Sequence, residues 1–118
     1  MSYDAAEGFR ITLSDTLRAA MVARDRDAVR ALRSVMAAID NAGAVTPPAG
    51  TRDAAAPPTE VPRRPLSANE IAAILQAEIA TRSRNAGEYE RRGNAAQAAE
   101  LRSEIATLQP LTTLLPSP

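Results

Sequence analysis

The apolar residues near the start of the chain recur every three or four positions, which is the period of an amphipathic α-helix. This series predicts a first helix from about Phe9, with Thr12 or Ser14 as alternative N-caps, and leaves residues 1–8 as a flexible N-terminus. The predicted buried face consists of Phe9, Leu13, Leu17, Ala20 and Met21.

A polar break at residues 24–27 separates this series from a second one with the same period. The aspartates in the break can cap the next helix, and Gly43 is placed to end it. Two helices joined by so short a turn are expected to pack antiparallel. The predicted apolar stripe of the second helix is Val29, Leu32, Met36, Ile39 and Ala42.

Residues 44–65 have no hydrophobic period and are rich in Pro, Ala and Thr. Proline lacks an amide N–H and disfavours helix at the residue before it. We therefore expect a disordered or extended linker here. The segment has no basic P-x-x-P core, so a flexible spacer is favoured over a ligand for a proline-recognising domain.

The clearest local signal follows the linker. Ser67 and Glu70 have the spacing of a capping box, and Leu66 is placed to pack on Ile71 as a hydrophobic staple. The helix is expected to run to about Arg92. Its predicted apolar face is Ile71, Ile74, Leu75 and Ile79. Two favourable i,i+4 ion pairs are expected, Glu78–Arg82 and Glu88–Arg92.

Gly93 supplies a reversal, and a fourth helix is predicted from about Ala95 to Leu108. Its apolar face is Ala98, Leu101, Ile105 and Leu108. Beyond it, the prolines predict an irregular tail over residues 109–118. The sequence thus predicts an all-α fold: two antiparallel helical hairpins in a domain at 9–108, interrupted by the Pro-rich linker.

Composition limits both the core and the available chemistry. The 118 residues are 45% hydrophobic but only 3% aromatic, and many apolar positions are Ala. Such a core requires close helix packing, a partner that covers one face, or both. All 14 basic residues are Arg, and they balance 14 acidic residues. Nucleic-acid-binding modules usually carry a basic excess instead.

The chain has no His, Cys or Lys, which removes the usual nucleophile–base pairs and thiolate metal sites. Glu100 with Glu104, or Glu88 with Glu90, could pair to bind a metal or to transfer protons. Pairing with neighbouring arginines on a solvated surface is the favoured interpretation. We therefore expect no catalytic residue, no metal and no cofactor.

Three arginines at i, i+4 and i+7 line one edge of the second predicted helix: Arg26, Arg30 and Arg33. A row of guanidinium groups can bind phosphates, so these residues are candidate contacts to a partner or to RNA. The alternative for Arg26 and Arg30 is plain solvation. Arg33 adjoins the apolar stripe, where we expect it to pair with Glu78 or Glu104.

Tyr89, near the tip of the second hairpin, is the other candidate contact residue. A tyrosine there has little core to fill, and its alternative role is to pack over the Gly93 turn. Few aromatic platforms for single-stranded bases are available. The chain has no run of about 18 apolar residues and no basic-then-apolar leader. We therefore expect a cytoplasmic protein that does not contact a membrane.

An ordered set of short motifs gives the chain a family resemblance. It resembles the YqeY-like proteins, small relatives of the C-terminal helical region of the GatB subunit of tRNA-dependent amidotransferases. The motifs in the first half are Leu17-Arg18-Ala19-Ala20-Met21, Arg24-Asp25, Leu32-Arg33 and Ala37-Ala38-Ile39-Asp40-Asn41-Ala42. Those in the second half are Leu66-Ser67, Glu78-Ile79, Arg82, Tyr89, Gly93, Ala98 and Glu104-Ile105.

The resemblance implies a bacterial protein that holds the N-terminal helical domain of the family alone. Members end the fourth helix with a Leu-x-x-Tyr-Leu-Pro run that leads into a second, smaller helical domain. Here residues 108–116 stand in place of that run. The glutaminase and kinase chemistries of amidotransferases reside in other subunits and domains.

Three functions remain open from the sequence. The first is a non-catalytic helical interaction module that binds a protein partner or, weakly, tRNA. The second, which the family label suggests, is an accessory component of a carbon–nitrogen ligase with glutamine as amido-N-donor. The third is a structural homodimer in which the Ala-rich faces of two copies meet.

Overall fold

The computed structural model describes residues 4–44 and 64–116, and these form an all-helical fold. The described residues contain no β-strand, so the predicted all-α class is confirmed. The elements are α1 (Ala5–Ala23), α2 (Arg26–Gly43), α3 (Ala68–Arg91), α4 (Ala95–Leu108) and a 3-10 helix (Gln109–Leu114).

The first helix begins at Ala5, four residues before the predicted start at about Phe9. Asp4 is the N-cap, and its carboxylate accepts hydrogen bonds from the amides of Ala6 at 3.0 Å and Glu7 at 3.4 Å. Aspartate is among the most effective N-caps. The interpretation from hydrophobic period missed it because the first turn of α1 contains no large apolar side chain. Residues 5–8, predicted to be flexible, are therefore helical.

The turn between α1 and α2 is short and tightly capped. Arg24 has φ 57°, and its amide donates to the carbonyls of Ala20 and Met21. Asp25 then caps α2 by accepting from the amide of Ala28 at 3.1 Å, as predicted for an aspartate of this break.

The two helices pack antiparallel, as predicted. Arg10 and Leu13 of α1 line the same groove as Met36 and Ile39 of α2. At the other end of the pair, the late α1 residue Met21 meets α2 near Arg33.

The start of α3 confirms the predicted capping box. The Ser67 hydroxyl accepts from the Glu70 amide at 3.1 Å, and the Glu70 carboxylate accepts from the Ser67 amide at 3.1 Å. Arg64 adds two hydrogen bonds to the same carboxylate. Leu66 and Ile71 are buried in the same core, as the hydrophobic staple requires.

Helices α3 and α4 form the second hairpin, with bounds close to the predicted ones. Gly93 has φ 77° in the turn, a conformation that glycine adopts without strain. Glu90 near the end of α3 pairs with Arg102 of α4 at 2.7 Å. The predicted Glu88–Arg92 pair is wrong: Glu88 pairs with Arg91, because Arg92 has left the helix and sits at its C-cap.

The core lies between all four helices and includes the tail. Its members share near-complete burial: Ala6, Phe9, Leu13, Ala28, Ala31, Leu32, Val35, Ile39, Leu66, Ile71, Ala72, Leu75, Leu108, Leu111 and Leu115. The buried face of α2 is rotated from the predicted stripe. Ala31 and Val35 are fully buried, whereas Val29 and Met36 are half-buried and Ala42 is exposed. The reason is that α2 packs against α4 as well as α1.

Most of the segment predicted to be irregular, at 109–118, is helical, which corrects that prediction; its residues 117–118 lie outside the described residues. Residues 109–114 form a 3-10 helix that starts with Pro110 in its first turn, where the missing amide costs no hydrogen bond. Leu111 and Leu115 enter the core. The prediction gave weight to the prolines and overlooked the leucines that hold the tail in place.

The predicted linker at 44–65 lies mostly outside the described residues, which omit 45–63. Its two ends meet: the Arg64 amide donates to the Gly43 carbonyl at 2.7 Å. A Cβ on Gly43 would lie 3.2 Å from the Arg64 carbonyl oxygen, so glycine allows this close approach.

Small residues permit close packing in the second hairpin, and this gives a first test. Ala86 is fully buried although it lies outside the main core cluster. Ala86→Leu should destabilise the fold by about 1–3 kcal/mol, because extra methylenes must force the two helices apart. Ala80→Leu, at an exposed position of the same helix, is the control for helix propensity. Urea denaturation followed by circular dichroism measures the stability of both variants. Equal stabilities of Ala86→Leu and Ala80→Leu would contradict the packing described.

The capping box gives a second test, through pH. The hydrogen bond from Arg64, followed by that from the Ser67 amide, lowers the pKa of Glu70 to about 2. Because the folded-state pKa is depressed, this stabilisation is present above the unfolded pKa, near 4.3, and is lost as pH falls from there towards 2.

Glu70→Gln should therefore be less stable than the parent at neutral pH, and the gap should close as pH falls through that window. Asp15→Asn, at an exposed position in the middle of α1, is the control for losing a carboxylate. Thermal melts across the pH range measure the gap. A gap between parent and Glu70→Gln that stays constant from pH 7 to pH 2 would exclude this role.

Candidate functional site

Glu104 is a buried charged residue at the centre of the helical assembly. It lies on α4 between Leu101 and Leu108 of the same helix face, and only 4% of its surface is exposed. A buried carboxylate is costly unless cations and hydrogen bonds compensate it. Within the described residues, no buried side-chain nitrogen or oxygen lacks a hydrogen-bond partner.

Two arginines from different helices compensate this carboxylate. Arg30 of α2 donates from Nε to Oε2 at 3.1 Å, and Arg82 of α3 donates from Nε to Oε1 at 3.0 Å. Each oxygen of Glu104 therefore has its own guanidinium group. One side chain of α4 fixes how α2 and α3 approach it.

The network continues along α3. Arg82 Nη1 donates to a carboxylate oxygen of Glu78 at 3.1 Å and to the Glu78 carbonyl at 3.0 Å. The hydroxyl of Ser34 on α2 donates to the same Glu78 oxygen at 2.6 Å. We call Arg30, Ser34, Glu78, Arg82 and Glu104 the Glu104 network. Its two positive and two negative charges balance.

Arg30 links this network to the surface. Its guanidinium also pairs with Asp27 at 2.7 Å, and about half of its side chain is exposed. The hydrogen bond that Arg30 donates to Glu104 raises the pKa of Arg30 above its ordinary value. Arg30 is thus a cation with two carboxylate partners, which corrects the alternative of plain solvation.

The expected partners of Arg33 are taken by other arginines. Glu78 and Glu104 both bind Arg82, so the prediction that Arg33 pairs with one of them is wrong. Arg33 is exposed, and its Nη2 lies 4.0 Å from the sulfur of Met21. The rotation of α2 described above explains the change, because it turns Arg33 outward and brings Arg30 towards α4.

A broad open groove of about 800 Å³ lies at the end of the α1–α2 hairpin where the turn joins the two helices. We call it the arginine groove. Its lining residues are Met21, Arg24, Arg26, Val29, Arg30 and Arg33. The three arginines predicted from their spacing therefore share one surface, together with Arg24 from the turn.

Three of these four guanidinium groups are uncompensated. In the part of the chain that the structure describes, no carboxylate lies within 4.0 Å of Arg24, Arg26 or Arg33. The nearby Asp25 serves as the cap of α2, and Asp27 pairs with Arg30. The groove therefore carries a local positive charge in a chain whose net charge is zero.

Met21 is exposed in this groove, although the sequence placed it on the buried face of α1. Its exposed fraction is 49%, and Val22 beside it is 81% exposed. Every residue from 21 to 24 is exposed, because the last turn of α1 extends beyond the core. An apolar surface and a cationic surface thus lie side by side.

Tyr89 lies apart from the arginine groove. It is half-buried near the end of α3, and its carbonyl accepts from the Asn94 amide at 2.8 Å in the Gly93 turn. Tyr89 therefore lies at the tip of the second hairpin, and its role as a contact residue stays a prediction.

The carboxylates paired in the sequence analysis for acid–base or metal chemistry differ in burial or are bound to different arginines. Glu100 is exposed, whereas Glu104 is buried in the network. Glu88 and Glu90 pair with Arg91 and Arg102, respectively. Among residues 4–44 and 64–116, no three acidic side chains come together as a metal-binding set. In the same residues, no helix is long and apolar enough to cross a bilayer.

The sequence itself contains a signal for the Glu104 network. Glu104 falls three residues after Leu101 and four before Leu108, which places an acidic residue on the apolar face of α4. A carboxylate at such a position requires cationic partners from other helices. Which arginines supply them depends on how the helices pack.

Comparisons with protein-family models, with curated proteins and with solved structures find no match for this chain. The functional argument therefore depends on the geometry of the arginine groove and on the residues themselves.

Removal of Glu104 tests the role of the network. Glu104→Ala should destabilise the fold by about 3–5 kcal/mol, because Arg82 would remain nearly buried without its carboxylate. Glu100→Ala, one turn earlier and exposed, should have little effect. Denaturant midpoints from circular dichroism measure both.

Because Glu104→Ala could prevent folding altogether, a paired variant completes the test. Glu104→Met with Arg82→Met removes both buried charges and should be more stable than Glu104→Met alone. A double variant no more stable than the single one would show that the two residues do not act as a pair.

Proposed function

We propose that this chain is a non-catalytic helical interaction module that binds a protein partner through the arginine groove. The observation that carries the proposal is the contrast between the two sets of arginines. Arg30 and Arg82 are bound to carboxylates in the Glu104 network. Arg24, Arg26 and Arg33 lie beside an exposed methionine and have no carboxylate partner among residues 4–44 and 64–116.

The composition of the groove supports a protein partner more than tRNA. Arginine and methionine are enriched in protein–protein interfaces. Phosphate binding uses the guanidinium groups but gains nothing from an apolar floor formed by Met21 and Val29. Bases of single-stranded RNA stack on aromatic rings, and none of the described residues that line this groove is aromatic.

The family resemblance supports the same kind of function. YqeY-like proteins are relatives of a helical region in GatB, and that resemblance implies binding, whereas the chemistry of amidotransferases resides elsewhere. A bacterial origin, which depends on the resemblance, and a cytoplasmic location are part of this proposal. Weak tRNA binding is the alternative that the same groove would serve.

A capture experiment tests the proposal. Tagged full-length chain is incubated with bacterial lysate, with and without ribonuclease, and bound protein and RNA are both identified. We expect a protein that is captured equally with and without ribonuclease. It should bind the parent chain but not the Arg33→Glu variant. Arg84→Glu is the matched control, since Arg84 is also exposed on a helix and has no ion pair in the described residues.

Other outcomes separate the alternatives. Enrichment of tRNA that depends on Arg33 would replace the protein partner by RNA. Capture of the chain's own copies alone would favour the structural homodimer. A partner that binds Arg33→Glu as well as the parent would exclude the arginine groove as the contact surface.

A further inference from the structure

We infer that the partner of the arginine groove is a short amphipathic helix with acidic residues on both sides of an apolar stripe. This inference rests on the proposed function and names the chemistry of the partner. It depends on three features of the groove: its charge, its apolar floor and its length along α2.

The first feature is charge complementarity. Arg24 and Arg26 lie at the end of the groove formed by the α1–α2 turn, and Arg33 lies two turns along α2. Asp27 and Glu104 are occupied by Arg30. A partner that supplies two or three carboxylates at this spacing would compensate the free guanidinium groups, which form strong charge-assisted bonds with carboxylates.

The second feature is the apolar strip between these charges. Met21 is half-exposed, and Val29 is half-buried one turn before Arg33. Methionine adapts its shape to different apolar side chains. A purely acidic segment would leave this strip uncovered, so the partner must also bring leucine-like or isoleucine-like residues.

The third feature is shape. The lining residues of α2 are at positions 26, 29, 30 and 33, which are i, i+3, i+4 and i+7 on one helical face. That face extends for about 10 Å at 1.5 Å per residue. A helix laid into a groove of this kind places its own anchors at the same spacing.

The backbone at Arg24 supports a role for its side chain. Arg24 has a left-handed conformation, with φ 57°, and it occupies a helix C-terminal position where glycine is the usual residue. An arginine there carries a conformational cost of roughly 1 kcal/mol. A contribution of the guanidinium group to binding would account for an arginine at this position.

An unbiased selection tests the inference. A phage-displayed library of random 16-residue peptides is selected against the full chain, and the enriched peptides are then synthesised and titrated by fluorescence anisotropy. We expect enriched sequences with an excess of Asp and Glu and with apolar residues at i, i+3 or i+4 and i+7. Circular dichroism should show that they become helical on binding.

Variants locate the binding and test both components. Arg33→Glu should weaken the selected peptides by about tenfold or more, and Arg84→Glu should not. Met21→Ser should weaken them by about fivefold, which corresponds to the loss of a partly buried apolar contact. Ile11→Ser is its control, because Ile11 is similarly exposed on α1. A selected peptide whose acidic residues are replaced by Lys should bind the Arg33→Glu variant of the chain more tightly than it binds the parent chain.

The outcomes separate this inference from the proposed function. Peptides that require Arg33 but are neutral or basic would overturn the acidic helix and leave the interaction module intact. Peptides that bind independently of both Arg33 and Met21, or no enrichment at all, would overturn both. A random RNA pool is selected against the chain in parallel. If RNA is enriched whose binding requires Arg33, and no acidic amphipathic peptide is enriched, the partner is a nucleic acid and not a protein.

Discussion

A carboxylate removed from water determines how three of the four helices meet. The burial of the Glu104 carboxylate is compensated because Arg30 and Arg82 each donate to one of its oxygens at about 3 Å. Many core positions are alanines, and their smooth surfaces specify helix register weakly. The two ion pairs specify the register that such a core leaves open, because a shift of α2 or α3 by one residue would break them.

The same interaction divides the arginines of α2 into two groups. Arg30 is turned towards α4, so Arg26 and Arg33, which flank it on the same helix, are left on the outer surface. The first helix completes this surface with its last turn, which extends past the core. The position of the arginine groove is therefore a consequence of the buried network and of the length of α1.

Local sequence signals predicted the start of α3 and the turn before α4 but missed the Asp4 cap of α1, and long-range packing accounts for the errors on α2. Ser67, Glu70 and Gly93 act through neighbours within a few residues, so their roles could be identified from spacing alone. The buried face of α2 depends on α4, which is distant in sequence, and the period of α2 could not reveal it. The prediction that Arg33 pairs with Glu78 or Glu104 failed for the same reason, since Arg82 binds both carboxylates.

The hydrogen bond between Gly43 and Arg64 has an evolutionary consequence. This bond brings the chain back beside the end of α2, so the segment between Gly43 and Arg64 is closed into a loop. The entropy of closing a loop grows slowly, by about 0.6 kcal/mol for each doubling of its length. The closure entropy therefore penalises insertions and deletions between these two anchor points only slightly, and we expect relatives of this chain to vary in length here more than within the helices.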